Sequence, residues 1–184
     1  MTRPDARRGS VPLLLGLLLL AVAFGVLMAL VKGTGAGIRY EVGNMSAPWL
    51  IVPVLLGRTA RGHLAATLLG GLAALFSLLA FYATAAVALG LVSSSATIGN
   101  NLFFVIAGTI GGAAFGLFAS LWREGAVLLP LVFLAEPLVI LVFDKVNATP
   151  WTQSVLLARL GEAVVGLAWL AAVTIGSWRS SNTR

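Results

Sequence analysis

Three ionisable side chains stand inside otherwise apolar runs of this 184-residue sequence: Glu136, Arg159 and Glu162. Each is costly in hydrocarbon unless it is paired or faces a wet cavity. Arg159 and Glu162 are three positions apart and so share one helix face. Glu136 precedes the end of its run, Phe143, by seven positions, about 10 Å at a helical rise of 1.5 Å per residue. Arg159 lies roughly 6–12 Å into the next run by the same rise. The spacing therefore predicts Glu136 and Arg159 at one level on neighbouring helices, with Glu162 one turn deeper. Trp49, Tyr82 and Asn100, with Asn101 beside it, fall at that level too. Two chemistries follow. One is a buried Glu136–Arg159 pair that fixes helix register. The other is a ligand pocket in the outer half of a membrane, lined by Trp49, Tyr82, Asn100, Glu136, Arg159 and Glu162. Two acids and one base leave that set one charge negative, which favours a small polar or cationic ligand. Pro137 adds a freed backbone carbonyl near Phe133.

Other chemistry is not spelled out. The single histidine, His63, sits beside Arg61 in a short connecting segment. No His-Glu-x-x-His, Gly-x-Ser-x-Gly or P-loop pattern occurs. The chain has no cysteine, which removes disulfides, thiolate metal sites and cysteine nucleophiles. No enzymatic activity, cofactor or metal is expected. Asn44-Met-Ser46 and Asn147-Ala-Thr149 match the glycosylation pattern and are read as chance.

The elements that must position these residues are membrane helices. The chain is 59% hydrophobic and 10% charged, with a mean hydropathy of +1.01. A soluble domain runs nearer 45–50% apolar and about 25% charged, so lipid is the solvent this composition fits. Apolar runs span Val11–Val31, Met45–Leu56, Leu64–Leu91, Leu102–Leu121, Ala126–Phe143 and Val155–Trp178. The first follows Arg3, Arg7 and Arg8, but it is longer than the 7–15 apolar residues of a secretory signal and closes on Lys32 without a cleavage pattern. It is expected to stay as an anchor. The second is short for a span and carries Pro48 and Pro53, so it reads as a kinked crossing or a broken helix.

Loop charges choose between topologies. With the N-terminus inside, Arg3, Arg7, Arg8, Arg58, Arg61, Arg123, Arg179 and Arg184 are cytoplasmic, against Lys32, Arg39 and Lys145 outside. That is the positive-inside bias, and it fails if Met45–Leu56 does not cross. The expected fold is all-α: a polytopic helix bundle of six transmembrane helices over residues 11–178, with cytoplasmic tails at 1–10 and 179–184. The net charge of +6 and pI of about 11.2 are accordingly assigned to topology and anionic headgroups rather than to nucleic acid. Trp151 and Trp178 suit an interfacial aromatic belt. Abundant Ala, Gly, Val, Leu and Arg with few Lys and Ile fit a bacterial cell membrane protein of a GC-rich genome.

Small residues recur at helical spacing. Ala21, Gly25 and Ala29 line one face of the first run, and Gly108, Gly112, Gly116 and Ser120 one face of the fourth. Such faces allow close backbone approach, either within the bundle or against a partner membrane protein. Arg39 and Glu41, between the first two runs, are expected to be solvated or to form a lid.

The stretch Asn44-Met-Ser-Ala-Pro-Trp49, with Ala80-Phe-Tyr82, Gly116-Leu-Phe-Ala-Ser-Leu-Trp-Arg123 and Phe133-Leu-Ala-Glu-Pro137, resembles a family of small actinobacterial membrane proteins without assigned activity. The six-span plan with a small-residue first helix is also similar to the substrate-binding subunits of energy-coupling-factor transporters. That resemblance implies a ligand site in the outer half and docking of a coupling subunit on Ala21, Gly25 and Ala29. The function expected is small-molecule binding or uptake. The alternative is a non-transporting assembly or structural partner recruited through a glycine face.

Overall fold

The structure is a computed structural model that describes residues 10–35, 37–90, 96–121, 127–146 and 151–182; within 10–13, 96–100, 146 and 176–182 it describes the backbone alone. The described residues form an all-helical fold. Helix α1 is Ser10–Lys32, α2 Ile38–Asn44, α3 Ile51–Thr59, α4 His63–Val87, α5 Ala96–Leu121, α6 Leu128–Val146 and α7 Gln153–Asn182. A single 3₁₀ turn, Ala47–Leu50, leads into α3. Four helices, α1, α4, α5 and α7, contain stretches long and apolar enough to cross a membrane. The surface agrees: Leu19 is 68% exposed, Phe103 71% and Val164 62%. Large side chains of this kind face outward on α1, α5 and α7, as lipid contact requires and water does not favour.

The sequence boundaries of the long runs reappear within a few residues. Helix α2 is the addition. It fills part of the segment expected to be solvated, and Arg39 explains why it stays. The Arg39 guanidinium donates from Nη2 to the Leu30 carbonyl at 2.7 Å and from Nε to the Val31 carbonyl at 3.2 Å. Those carbonyls belong to the last turn of α1, which has no helical N–H left to bond them, and a cation suits that end of the dipole. Gly33 completes the stop with φ of 61°, a left-handed conformation that glycine adopts without a Cβ penalty.

Helix α3 is the centre of the bundle. Val52, Pro53, Val54, Leu56 and Gly57 are all buried. One cluster joins Val52 and Leu56 to Ala21 of α1 and Ala73 of α4. Another joins Val54 to Ala119 of α5 and to Leu128 and Leu129 of α6. The 3₁₀ turn and α3 together rise only about 20 Å, against about 30 Å of hydrocarbon. Neighbouring helices enclose most of this short segment. Pro53 lacks the N–H that would extend the α-helical ladder one residue back, and the chain before it is wound as 3₁₀, with the Ile51 N–H bonded to the Pro48 carbonyl. The segment is therefore a broken helix in its first half and a regular one in its second.

Interhelix contacts fix the directions of the rods. Ser77 on α4 donates its hydroxyl to the Ala21 carbonyl on α1 at 2.8 Å, and Ala29 packs with Phe81 further along; α1 and α4 are parallel. Gly70 of α4 lies against Gly112 and Gly116 of α5, and Leu78 against Gly108; these two are antiparallel. Glu136 meets Arg159 and Phe133 meets Trp169; α6 and α7 are antiparallel.

The small-residue faces are spent inside the bundle. Ala21 and Ala29 are 0% and 1% exposed, and a Cβ on Gly25 would fall on the Ser77 backbone. A Cβ on Gly112 or Gly116 would likewise fall on α4, at Ala74 and at the Ala66 carbonyl. The expectation of a partner-docking face on Ala21, Gly25 and Ala29, or on Gly112 and Gly116, is thus corrected: α4 already covers both. Gly108 is partly exposed and lines a cavity.

Candidate functional site

The expected level holds two adjoining constructions. The first is an ion triad. Arg159 Nη1 lies 2.9 Å from Glu136 Oε1 and 2.9 Å from Glu162 Oε2. The side chains of Arg159, Glu136 and Glu162 are 11%, 9% and 0% exposed. The predicted pairing of Glu136 with Arg159 is present, and Glu162 joins it through the i,i+3 geometry of α7. Glu162 Oε1 is buried with no hydrogen-bond partner among the described residues.

Glu136 has a second task that the sequence did not announce. Its carboxylate accepts the backbone N–H of Ser46 at 2.7 Å through Oε1 and that of Ala47 through Oε2. These amides begin the 3₁₀ turn, and helix starts leave N–H groups without intrahelical partners. Ser46, at the N-cap position, makes no side-chain capping bond. The carboxylate does that work from another helix, and negative charge suits a helix start. The signal available in the sequence was the short, Pro-containing apolar run: a helix start placed in hydrocarbon needs an acceptor for its orphan amides.

The second construction is a cavity of about 530 Å³ between α1, α2, the 3₁₀ turn, α4 and α5. Lys32, Asn44, Trp49, Phe81, Tyr82, Asn101 and Phe104 line it, with Gly43, Gly108 and Gly111. Its aromatic wall is continuous. Trp49 meets Phe81 edge-to-face at 5.1 Å between centroids, and Phe81 meets Tyr82 at 5.2 Å. Phe24 supports Trp49 from behind at 5.8 Å. Lys32 Nζ stands 5.0 Å from the Tyr40 ring centroid and 5.6 Å from that of Phe81, within cation–π range.

No family model matches the sequence, and no curated protein or solved structure is similar to it.

The six expected pocket residues are therefore distributed. Trp49 and Tyr82 line the cavity; Glu136, Arg159 and Glu162 form the triad and are not among its lining residues. The side chain of Asn100 lies outside the described residues, and its neighbour Asn101 lines the cavity. Ser46 joins the two constructions, since it lines the cavity while its N–H is held by Glu136. The negative pocket charge anticipated from Glu136 and Glu162 is corrected on this geometry. Both acids share Arg159, and the charged residue that lines the cavity is Lys32. Lys32 entered the sequence argument only as a loop charge, so its place in the lining was missed.

Trp151 closes the α6–α7 connection, donating from Nε1 to Asp144 Oδ2 at 2.6 Å. At the opposite end of the bundle, His63 Nδ1 and Ser120 Oγ are 3.0 Å apart beside a cavity of about 330 Å³ formed by Gly57, Arg58 and Ala60. That hollow is lined by Arg58, His63 and small residues, with no Phe, Tyr or Trp among the described lining residues. Among the described residues no group of three His, Asp or Glu side chains is placed to hold a metal.

Proposed function

We propose that the chain is a six-span bacterial cell membrane protein, both ends cytoplasmic, that binds a small molecule as the recognition subunit of an uptake system. Six crossings are supported by adding two segments to the four long apolar helices. Helix α6 has 19 residues, and its charges are the paired Glu136 and, at its end, Asp144 and Lys145. The 3₁₀ turn and α3 supply the remaining crossing, enclosed by neighbours. On the positive-inside rule, the excess of arginine at the Arg58 end supports an outside location for Lys32.

The observation that carries the binding reading is the aromatic cavity at the Lys32 end. Its volume falls in the 300–1,000 Å³ range of small-molecule sites, and its make-up, an aromatic wall with a few polar groups, is typical of them. The triad supports the reading by fixing the 3₁₀ turn that bears Trp49. A site in the outer half is also what the resemblance to substrate-binding subunits of energy-coupling-factor transporters implies. A coupling partner has to dock on a face other than Ala21, Gly25 and Ala29, because α4 occupies that one. The rival reading, recruitment of an assembly partner through a glycine face, loses support for the same reason.

The test is a thermal-shift screen of the purified protein against neutral, anionic and cationic single-ring and two-ring compounds, with Gly111→Leu as control. Gly111 lines the cavity and a Cβ there would meet no atom within 4 Å, so the leucine is introduced into open cavity space. Stabilisation of the wild type that Gly111→Leu abolishes is the expected result. Absence of stabilisation across all three charge classes refutes the reading.

A further inference from the structure

Among the donor-bearing side chains that line the aromatic cavity, those of Lys32, Trp49 and Tyr82 have no partner for the polar tip among the described residues. Lys32 makes no ion pair or hydrogen bond through its ammonium among the described residues; two rings are its only neighbours of that kind. Trp49 Nε1 and Tyr82 Oη likewise form no hydrogen bond among the described residues. A partly buried indole N–H or phenol O–H usually finds an acceptor, and a cation between aromatic rings has exchanged part of its hydration for ring faces. No acid among the described residues pairs with Lys32; Glu41, nine residues on in α2, forms no ion pair there. Glu136 and Glu162 are committed to Arg159, and Asp144 to Trp151. The amide of Asn44 donates to the Tyr40 carbonyl at 3.0 Å, which leaves its carbonyl oxygen for a ligand donor. The cavity lining thus carries one positive charge and neutral donors beside a wall of rings.

From this geometry we infer that the cavity binds a small organic anion with a planar body, its carboxylate on Lys32 and its ring against Trp49, Phe81 and Phe104. This rests on the binding reading proposed above and adds the sign and shape of the ligand. A carboxylate supplies acceptors that the ammonium, the indole N–H and the phenol lack, so its binding satisfies unpaired donors. A planar body suits the edge-to-face wall, where further rings can stack or meet an edge. A cationic ligand instead places like charge beside Lys32 with no carboxylate in the lining.

The experiment uses the full chain in a neutral detergent and reads melting temperature and intrinsic tryptophan fluorescence. The probes are benzoate, nicotinate and indole-3-acetate, with benzamide, nicotinamide and tryptamine as neutral and cationic counterparts. At least one carboxylate is expected to raise the melting temperature and change Trp49 emission, while its uncharged or cationic counterpart binds at least tenfold more weakly. Lys32→Met, which keeps the apolar stem, is expected to erase that preference, and Lys32→Arg to keep it. Without ligand, Lys32→Arg should melt as the wild type does, and Lys32→Met, which loses the contacts with Tyr40 and Phe81, slightly lower. Equal or tighter binding of the amides or tryptamine overturns the inference while leaving a binding cavity in place. Silence of every probe with the wild type overturns it together with the binding reading. A second arm adds phosphatidylglycerol or phosphatidylcholine vesicles in place of the probes. Lys32-dependent stabilisation by phosphatidylglycerol, with no response to the free carboxylates, assigns the anion to a lipid headgroup and overturns the soluble-ligand form.

Discussion

The triad makes an ordered prediction about charge. Arg159 is shared by two carboxylates whose side chains are 9% and 0% exposed. Replacing it by Met leaves both acids buried without a cation, and breaking a buried pair from one side costs about 3–5 kcal/mol. Glu136→Gln is milder. Arg159 and Glu162 then balance, but the new amide turns one of the two oxygens that receive the Ser46 and Ala47 N–H groups into a donor. One buried N–H loses its acceptor, at about 1–3 kcal/mol. Glu162→Gln should cost least, below about 1 kcal/mol. It removes the surplus negative charge, keeps an oxygen for Arg159, and alters an Oε1 that has no partner. The expected order of destabilisation is Arg159→Met, then Glu136→Gln, then Glu162→Gln. Reversible unfolding of the purified variants in mixed micelles, followed by tryptophan fluorescence, measures it. If Glu162→Gln destabilises as much as Arg159→Met, the balance of one cation against two acids is wrong. If Glu136→Gln costs no more than Glu162→Gln, the carboxylate is not securing the start of the 3₁₀ turn.

Further outcomes follow from other contacts. Gly116→Ala puts a methyl on the Ala66 carbonyl and 2.9 Å from the Gly70 Cα, and should cost about 1–3 kcal/mol as overpacking; Gly161→Ala, with open space at its Cβ, should be neutral in the same unfolding assay. Because the chain has no cysteine, single substitutions report topology cleanly. Thr34→Cys and Thr152→Cys should react with an impermeant maleimide on intact cells, and Arg61→Cys only after permeabilisation; the reverse pattern would falsify the proposed orientation. Trp151→Phe removes a 2.6 Å bond to Asp144 and should lower stability by about 1 kcal/mol without changing ligand response.

Hydrophobic runs and loop charges made the long helices legible, because lipid imposes length and polarity on every span. Glu136 and Arg159 were legible as a pair because few partners exist at one depth. The capping of Ser46 and Ala47 was not, since backbone amides are alike in every residue and leave no letter in the sequence. The cavity was half legible. Trp49 and Tyr82 were named from depth alone, but their separation from the acids depends on how the 3₁₀ turn is rotated. Lys32 was hidden for a related reason: as the last residue of α1 it counted as a loop charge, and only the packing of α2 and α4 sets it between Tyr40 and Phe81. The small-residue faces were visible but ambiguous, because a stripe of Ala and Gly looks the same whether a neighbouring helix or a foreign one covers it.

The carboxylate that closes the start of the 3₁₀ turn lies 90 residues downstream of Ser46. A ribosome delivers Ser46 and Ala47 to the membrane well before it delivers Glu136. Through the synthesis of α4 and α5 the short segment has two backbone N–H groups without that acceptor, and hydrocarbon supplies none. The emerging chain must therefore hold that segment near water or against the insertion machinery until α6 arrives. Assembly of the first half is completed by the second, so a product truncated before Glu136 should be a substrate for quality control rather than a stable fragment.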